Sequence, residues 1–216
     1  IEYNWLFKEH FNENHLLIIG IKSQFTNKGS QEYFNSFSIY DNELNLIDSY
    51  NKINLVPFGE FLPFENILSS IGLTSITNNY HSFSAGGQRK IIQINQKNFI
   101  LRILPLICYE IIYSGRLFDN PDFDMIINIS EDGWFGKSIG PKQHFTHSIL
   151  RAIESGKYVV RSSNNGIAAI INPLGAIEQV VNFGQSGFVD LEGTRKIQPT
   201  IFSLYGNKIF GLIILL

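Results

Sequence analysis

Residues 99–110 read FILRILPLICYE, a mostly apolar run that stops at the chain's single cysteine. A short apolar run without helical spacing predicts a buried β-strand. The next segment, residues 111–118, can begin a helix, so Cys108 would lie at a strand-to-helix junction. Backbone N–H groups at such a junction favour a thiolate and a developing oxyanion. Cys108 is therefore either a nucleophile or a plain core thiol, and composition alone favours the core thiol.

Strand-like runs of the same kind recur along the chain. The predicted strands cover residues 16–21, 33–40, 44–47, 91–94, 99–107, 125–129, 158–161, 167–171 and 177–181. Helical spacing is clearest at 144–155, where Phe145, Ile149, Ala152 and Ile153 share one face before Gly156 ends the helix. This alternation predicts an α/β fold in one domain, with two sheets and helices on their outer faces.

Composition excludes several classes of protein. With 216 residues, 44% of them apolar, the chain is long enough to bury a full core. Its 17 basic and 19 acidic side chains give a net charge of -2, which argues against nucleic acid as a partner. One cysteine excludes an internal disulfide and a cysteine-rich zinc framework. His144 and His147 lack a third ligand in register, so we expect no metal and no cofactor.

The two ends of the sequence differ in character. Residues 1–20 lack the basic start, apolar stretch and cleavage site of a signal peptide. Residues 209–216, IFGLIILL, are all apolar or glycine but fall short of the roughly 20 residues that span a bilayer. We predict that residues 1–204 form the domain and that 205–216 begin a transmembrane helix. The alternative is a buried C-terminal strand.

An aromatic-rich segment, YNKINLVPFGEFLP at residues 50–63, carries one lysine and one acid. By composition it is an ordinary surface loop or a functional one. From the end of this segment onward the chain is unusually apolar, with Phe61, Leu62, Pro63, Phe64, Ile67, Leu68, Ile71 and Leu73. Such a segment is either a lid that contacts a bilayer or part of the core.

Four motifs occur together in one order along the chain. They are Y-x-K-x-x-L-V-P-F-G-E at 50–60, I-C-Y-E at 107–110, N-x-S-x-D-x-W-F-G at 128–136 and R-S-x-N-N-G at 161–166. Segments 83–86 and 138–145 fit the same pattern. The chain therefore resembles the apolipoprotein N-acyltransferases, a family with the nitrilase fold, and the resemblance covers more than half of it.

The resemblance implies a four-layer αββα sandwich and a Glu-Lys-Cys triad. Cys108 is the expected nucleophile, and Lys52 is expected to stabilise the oxyanion with the backbone N–H of Tyr109. Glu60 and Glu110 are expected to orient Lys52 and the nucleophile, the alternative being that both are surface carboxylates. Independently of the family, an ammonium group near a thiol lowers the pKa of the thiol and donates to an oxyanion.

The resemblance also suggests residues that contact the substrate. Trp134 and Phe135 either line an acyl pocket or pack on the core, and Phe61 is a further candidate for substrate contact. Glu131 stands where the family usually has asparagine, and sequence gives it no role.

One expected element is missing. No Trp-Pro-Glu-like segment, which would carry the general base of the family, precedes residues 16–21. Glu2, Glu9 and Glu13 lack that setting. We therefore expect the chain to begin after the base and to be poorly active as given.

The implied activity is two-step acyl transfer from a membrane phospholipid, through a thioester on Cys108, to the α-amine of a diacylglyceryl-modified cysteine of an apolipoprotein. The implied partners are phospholipid, apolipoprotein and membrane. The implied location is the bacterial inner membrane with the domain facing the periplasm, and the expected state is a monomer. The alternatives are a soluble nitrilase-type amidase and an inactive membrane domain that binds lipoproteins.

Overall fold

A computed structural model describes residues 4–27, 29–64, 67, 70, 82–96, 99–115, 117–118 and 121–215. The chain divides into two compact units, Ile1–Arg89 and Lys90–Leu216. Within the described residues, each unit contains one β-sheet. The boundary predicted between residues 204 and 205 stays a prediction.

The first unit is built on an antiparallel meander. Helix α1 (Asn4–His10) precedes strands β1 (Leu17–Asn27), β2 (Ser30–Tyr40) and β3 (Leu46–Asn51), which lie in the order β1-β2-β3. Strands β2 and β3 pair as an antiparallel hairpin. In its turn the Asp41 carboxylate accepts hydrogen bonds from the backbone N–H groups of Glu43 and Asn45. Phe37, Ile39 and Tyr50 are buried in this unit.

The second unit carries a mixed sheet of six strands. They are β4 (Ile92–Gln96), β5 (Phe99–Ile107), β6 (Met125–Glu131), β7 (Tyr158–Asn164), β8 (Ala168–Ile171) and β9 (Ile177–Val181), in that order across the sheet. Strands β5, β6 and β7 run parallel to one another, and the outer pairs are antiparallel. The carboxyl ends of parallel strands meet at one edge, which is where sites form in sheets of this kind. Cys108, Asp132 and Asn165 follow β5, β6 and β7 at that edge.

The predicted helix in this unit is confirmed and begins earlier than expected. Helix α2 (Gly140–Ser155) ends at Gly156, whose φ of 66° is left-handed and whose N–H donates to the Ala152 carbonyl. Phe145 and Ala152 lie in the core cluster and Ile149 packs against it. Ile153 lies on the same side of the helix as Ile149, although its side chain is 41% exposed. It lies against Gly175, where an added Cβ would come within 2.7 Å of the Ile153 Cδ1 atom.

The prediction that a helix begins in residues 111–118 is wrong. A 3-10 helix covers Cys108–Ile112 and no helix follows it at 113–115 or 117–118. The Glu154 carboxylate accepts hydrogen bonds from the Ser114 hydroxyl and the Gly115 N–H, at 3.1 and 2.6 Å, and holds this backbone away from the helical path. The dipole argument for Cys108 loses force accordingly, since the helix is only about one turn long.

The C-terminal part of the chain forms two short helices, α3 (Ile201–Tyr205) and α4 (Lys208–Ile214), and the apolar run that begins at Ile209 lies mostly in the second. Many of their apolar side chains are exposed, so the buried strand considered for this run is wrong. Over the residues that the structure describes, no helix combines the length and apolar character needed to cross a bilayer. The predicted transmembrane helix thus stays a prediction.

Candidate active site

Lys52 lies directly after β3 in the first unit and is only 1% exposed. Its Nζ atom donates to Glu60 Oε2 at 2.7 Å. Its backbone is held on both sides, because its N–H donates to the Asn35 carbonyl and its carbonyl accepts from the Gly86 N–H, each at 2.8 Å. Gly86 can approach this closely because it has no Cβ, which would lie 2.1 Å from the Asn51 carbonyl oxygen.

Glu60 is held by several donors within the same unit. Its Oε1 accepts from the Asn35 amide at 2.7 Å, and its Oε2 accepts from the Val56 N–H at 2.8 Å as well as from Lys52. The backbone turns tightly at Phe58, whose φ is 62°. Since a buried charge is stable only when it is paired and hydrogen-bonded, Glu60 fixes both the charge and the position of Lys52. The surface-carboxylate alternative is therefore wrong for Glu60.

The apolar segment after Glu60 is described only in part. Phe61 is partly buried, whereas Phe64 is 78% exposed and Ile67 is also exposed. Leu68, Ile71 and Leu73 lie outside the described residues. Core packing is therefore wrong for Phe64 and Ile67, and the lid stays a prediction.

Cys108 in the second unit has an unusual backbone. It is a half-buried thiol in the left-handed region, with a φ of 47°. Its Sγ atom lies 4.0 Å from the Glu131 carbonyl oxygen. Non-glycine residues adopt this conformation at a cost, and they concentrate at functional sites. Cys108 therefore differs from an ordinary thiol at the end of a core strand.

Glu110 follows Cys108 closely in the chain and is fully buried. Its Oε2 atom accepts from the N–H of Ile107 at 2.9 Å, so it holds the backbone just before Cys108. The surface-carboxylate alternative is wrong for this residue too. Tyr109 is half-buried and packs edge-on against Tyr113, with ring centroids 5.5 Å apart.

A buried polar network next to Cys108 was not predicted. Arg161 donates to Asp132 Oδ2 at 2.7 Å, to the Ile167 carbonyl at 3.2 Å and to the Asn128 side chain. His144 Nδ1 lies 2.9 Å from Asp132 Oδ1, and His144 Nε2 lies 3.2 Å from the Cys108 carbonyl oxygen. Asp132 and Arg161 are fully buried and His144 nearly so.

The network keeps Asp132 ionised. Burial raises the pKa of Asp132, but the hydrogen bond from His144, the charge of Arg161 and the hydroxyl of Ser130 outweigh it and lower that pKa to about 2. Burial lowers the pKa of Arg161, and the charges of Asp132 and Cys108 oppose this shift.

The signal for this network was present in the motifs. Asp132 and Arg161 belong to two of the quoted motifs, although sequence gave them no role, and His144 was considered only as a metal ligand. Its ring nitrogens instead face Asp132 and the Cys108 carbonyl.

Glu131 acquires a role from the structure. Its carboxylate accepts from the Gly133 N–H at 2.7 Å, from Asn165 Nδ2 at 3.1 Å and from Asn164 Nδ2. It thereby ties the loop that follows β6 to the end of β7. Trp134 in this loop is 73% exposed, so core packing is wrong for it.

Phe135, the other aromatic side chain of this loop, is partly exposed and packs against His144 at 5.5 Å between ring centroids. An acyl pocket lined by Trp134 and Phe135 stays a prediction, as does contact of Phe61 with the substrate.

Within the units the structure brings Lys52 next to Glu60, and Glu110 next to the backbone that leads into Cys108. The predicted meeting of the Cys108 thiol with the Lys52 ammonium stays a prediction. So do the catalytic roles of all the predicted site residues.

A family comparison covers nearly the whole chain. The family model of the carbon-nitrogen hydrolases matches residues 6–203. The chain therefore belongs to the carbon-nitrogen hydrolase family.

Its relatives are apolipoprotein N-acyltransferases. The chain is 37% identical over 182 residues to the enzyme of Rhizobium leguminosarum bv. trifolii and 39% identical over 197 residues to that of Rickettsia prowazekii. These alignments cover 83% and 90% of this chain but 34% and 38% of the relatives. The predicted resemblance is confirmed, and the chain spans about a third of the length of these relatives.

Solved structures support the fold. A mutant of the Nesterenkonia AN1 amidase from the nitrilase superfamily has a TM-score of 0.57 at 13% identity, with 99% of this chain and 71% of that chain covered. Glutamine-dependent NAD+ synthetase from Acinetobacter baumannii has a TM-score of 0.58 at 15% identity, with 86% and 32% covered. At this identity the likeness shows the fold alone. The predicted α/β fold of the nitrilase superfamily is thus confirmed, and the four-layer packing stays a prediction.

Proposed function

We propose that this chain is most of the periplasmic catalytic domain of an apolipoprotein N-acyltransferase. The enzyme would move a fatty acyl chain from a membrane phospholipid to the α-amine of the diacylglyceryl-cysteine of apolipoproteins. The observation that carries the proposal is the left-handed backbone of Cys108 at the carboxyl end of β5, in a chain whose relatives bear that enzyme name.

In the first step the Cys108 thiolate attacks an ester carbonyl of the phospholipid. The tetrahedral oxyanion forms, the C–O bond to the glycerol oxygen breaks, and a lysophospholipid leaves while the acyl group stays on sulfur. A general base takes the thiol proton, and a proton returns to the departing alkoxide. In the second step the α-amine attacks the thioester, the N–C bond forms, the amine gives up one proton to the general base, the C–S bond breaks and the thiolate is restored. A thiolate leaves readily toward an amine, which suits a covalent carrier between two lipid substrates.

Lys52 is proposed to donate to the oxyanion. Its ammonium group is already held by Glu60 at 2.7 Å, so little reorganisation is needed when negative charge develops. The backbone N–H of Tyr109 is proposed as the second donor.

Lipid substrates fit the exposed apolar side chains of both units. Phe64 and Ile67 in the first unit and Trp134 in the second are large and exposed. Exposed apolar groups favour contact with lipid over water. We propose that the domain acts as a monomer at the outer surface of the bacterial inner membrane.

The test is a covalent adduct. A full-length protein that carries this chain is incubated with phospholipid vesicles, and intact mass spectrometry looks for one added acyl group on Cys108. We expect the adduct in the native protein, its absence in Cys108→Ser, and little of it in Lys52→Ala. Lys8→Ala is the matched control, because Lys8 is an exposed lysine of the same unit.

Other outcomes point to the other functions. Lipoprotein N-acylation by Cys108→Ser would refute the mechanism. Release of ammonia from small amides, without an acyl adduct from phospholipid, would indicate the amidase. Binding of lipoprotein without any adduct would indicate an inactive binding domain.

A further inference from the structure

His144 lies in the second turn of α2 and is 4% exposed. Its ring bridges two groups that accept hydrogen bonds. Nδ1 lies 2.9 Å from Asp132 Oδ1, and Nε2 lies 3.2 Å from the backbone carbonyl oxygen of Cys108.

The chemistry of the partners fixes the proton on Nε2. A backbone carbonyl can only accept, so Nε2 must carry the hydrogen of this contact. Arg161 Nη2 also lies 3.2 Å from Nδ1, so Nδ1 either donates to Asp132 or accepts from Arg161. In both states Nε2–H donates to Cys108.

This hydrogen bond acts on the peptide group that matters most for the chemistry. In a trans peptide the C=O and the following N–H point in opposite directions. Holding the Cys108 carbonyl toward His144 therefore aims the Tyr109 N–H the opposite way. Glu110 holds the N–H of Ile107 at 2.9 Å, so the backbone is fixed on both sides of the left-handed Cys108. Strained conformations persist when the surroundings hold them in this way.

We propose that His144 is a positioning residue that orients the peptide group between Cys108 and Tyr109. It thereby keeps Cys108 in its left-handed conformation and aims the Tyr109 N–H at the position of the oxyanion. Asp132 and Arg161 fix the ring of His144 in turn. The catalytic value of this arrangement rests on the proposed function, whereas the hydrogen bond itself does not.

The single cysteine of the chain makes a direct test possible. A full-length protein that carries this chain is labelled with cysteine that carries 13C at the carbonyl carbon, and the resonance that disappears in Cys108→Ser is that of the carbonyl that His144 is proposed to bind. Two variants distinguish the roles of the two ring nitrogen atoms of His144. In His144→Asn the amide replaces Nδ1 and loses the donor to Cys108, whereas in His144→Gln the amide replaces Nε2 and keeps it.

We expect the 13C resonance to move upfield in His144→Asn and to stay near its native position in His144→Gln. Alkylation of Cys108 by iodoacetamide, followed by mass spectrometry, should slow about tenfold in His144→Asn, the loss expected for one hydrogen bond. It should stay within about threefold of native in His144→Gln. Thermal unfolding of both variants measures any shared loss of packing.

Equal carbonyl shifts and equal alkylation rates in the two variants would overturn the inference, because they would reduce His144 to a packing residue. The proposed function fails separately. Suppose that the resonance responds as expected but iodoacetamide alkylates Cys108 no faster in the native protein than in the unfolded one. The hydrogen bond from His144 is then supported, and the proposal that Cys108 is an activated nucleophile is contradicted.

Discussion

Lys52 and Glu60 show how single residues set the chemistry of the first unit. Both are largely removed from water, and Glu60 also binds the Asn35 amide and the Val56 N–H. A buried ion pair of this kind contributes little net stability over an apolar pair, yet removing one partner leaves an uncompensated charge. Such a pair is better explained by a need for a fixed ammonium group than by stability.

The first prediction concerns the cost of removing one partner of this buried ion pair. Glu60→Gln leaves the Lys52 ammonium without its carboxylate and should lower the free energy of unfolding by about 3 kcal/mol. The acyl adduct on Cys108 should fall with it. Urea unfolding and mass spectrometry measure the two effects, and Glu9→Gln, at an exposed acid, is the control. A stability equal to that of the native chain would contradict the burial of the pair.

The second prediction concerns Asp132 and pH. Its pKa in the folded chain is about 2, below the ordinary value of 3.8, so the unfolded chain binds the proton more tightly. Stability from this group is present above about pH 4 and is lost as the pH falls through about 2, by about 2 kcal/mol in all. Urea unfolding between about pH 5 and about pH 1, a range that brackets both pKa values, should show a steeper decline in the native chain than in Asp132→Asn. Parallel declines would exclude Asp132 as the source.

At the scale of elements, α2 connects the site to the C-terminal part of the second unit. His144 near its start contacts Cys108, and Gly156 ends it. The Gly156 carbonyl accepts from the Ile197 N–H, and the Thr200 N–H donates to the Glu154 carbonyl, so the end of the helix fixes the extended segment that follows β9. The position of this helix therefore depends on its end as well as on its core face.

The third prediction tests that end. Gly156→Ala places a Cβ 2.6 Å from the Ile197 carbonyl oxygen, at a φ of 66°. It should lower the free energy of unfolding by about 2 kcal/mol, from the left-handed strain and the contact together. Gly193→Ala is the control, because a Cβ there meets nothing within 4 Å. Equal unfolding curves for the two variants would contradict the prediction.

At the scale of the whole molecule, sequence predicts those features that are encoded locally. In the described part of the chain each strand overlaps a predicted apolar run, and the amphipathic spacing gives α2. The agreement is weakest for β3 (Leu46–Asn51), which was predicted at 44–47. The spacing of four motifs points to the site residues, and the family model confirms the family. The network of Arg161, Asp132 and His144 could not be derived, because its members come from three segments that only the parallel strand order brings together. The helix predicted after Cys108 failed for the same reason, since Glu154 competes for its backbone from a distance of about 40 residues in sequence.

The fourth prediction concerns attachment to lipid. Phe210, Leu212, Ile213, Ile214 and Leu215 are exposed on or beside α4. Ile213→Ser with Ile214→Ser should lower the fraction of the chain that sediments with phospholipid vesicles, because apolar area is lost from the exposed run. Ile47→Ser, at an exposed position of β3, should leave that fraction unchanged. If the sedimenting fraction fell equally in both variants, binding to vesicles would depend on exposed apolar side chains in general and not on α4.

The left-handed backbone of Cys108 predicts which substitution is favoured at this position when selection for activity is lost. At a φ of 47° the conformational free energy of glycine is lower than that of cysteine by about 1 kcal/mol. If selection for the proposed activity is lost in a homologue, substitution of this cysteine by glycine becomes favourable, because the glycine relieves the backbone strain. A glycine at this position in a homologue would thus indicate a protein that has lost the proposed activity but retains the fold.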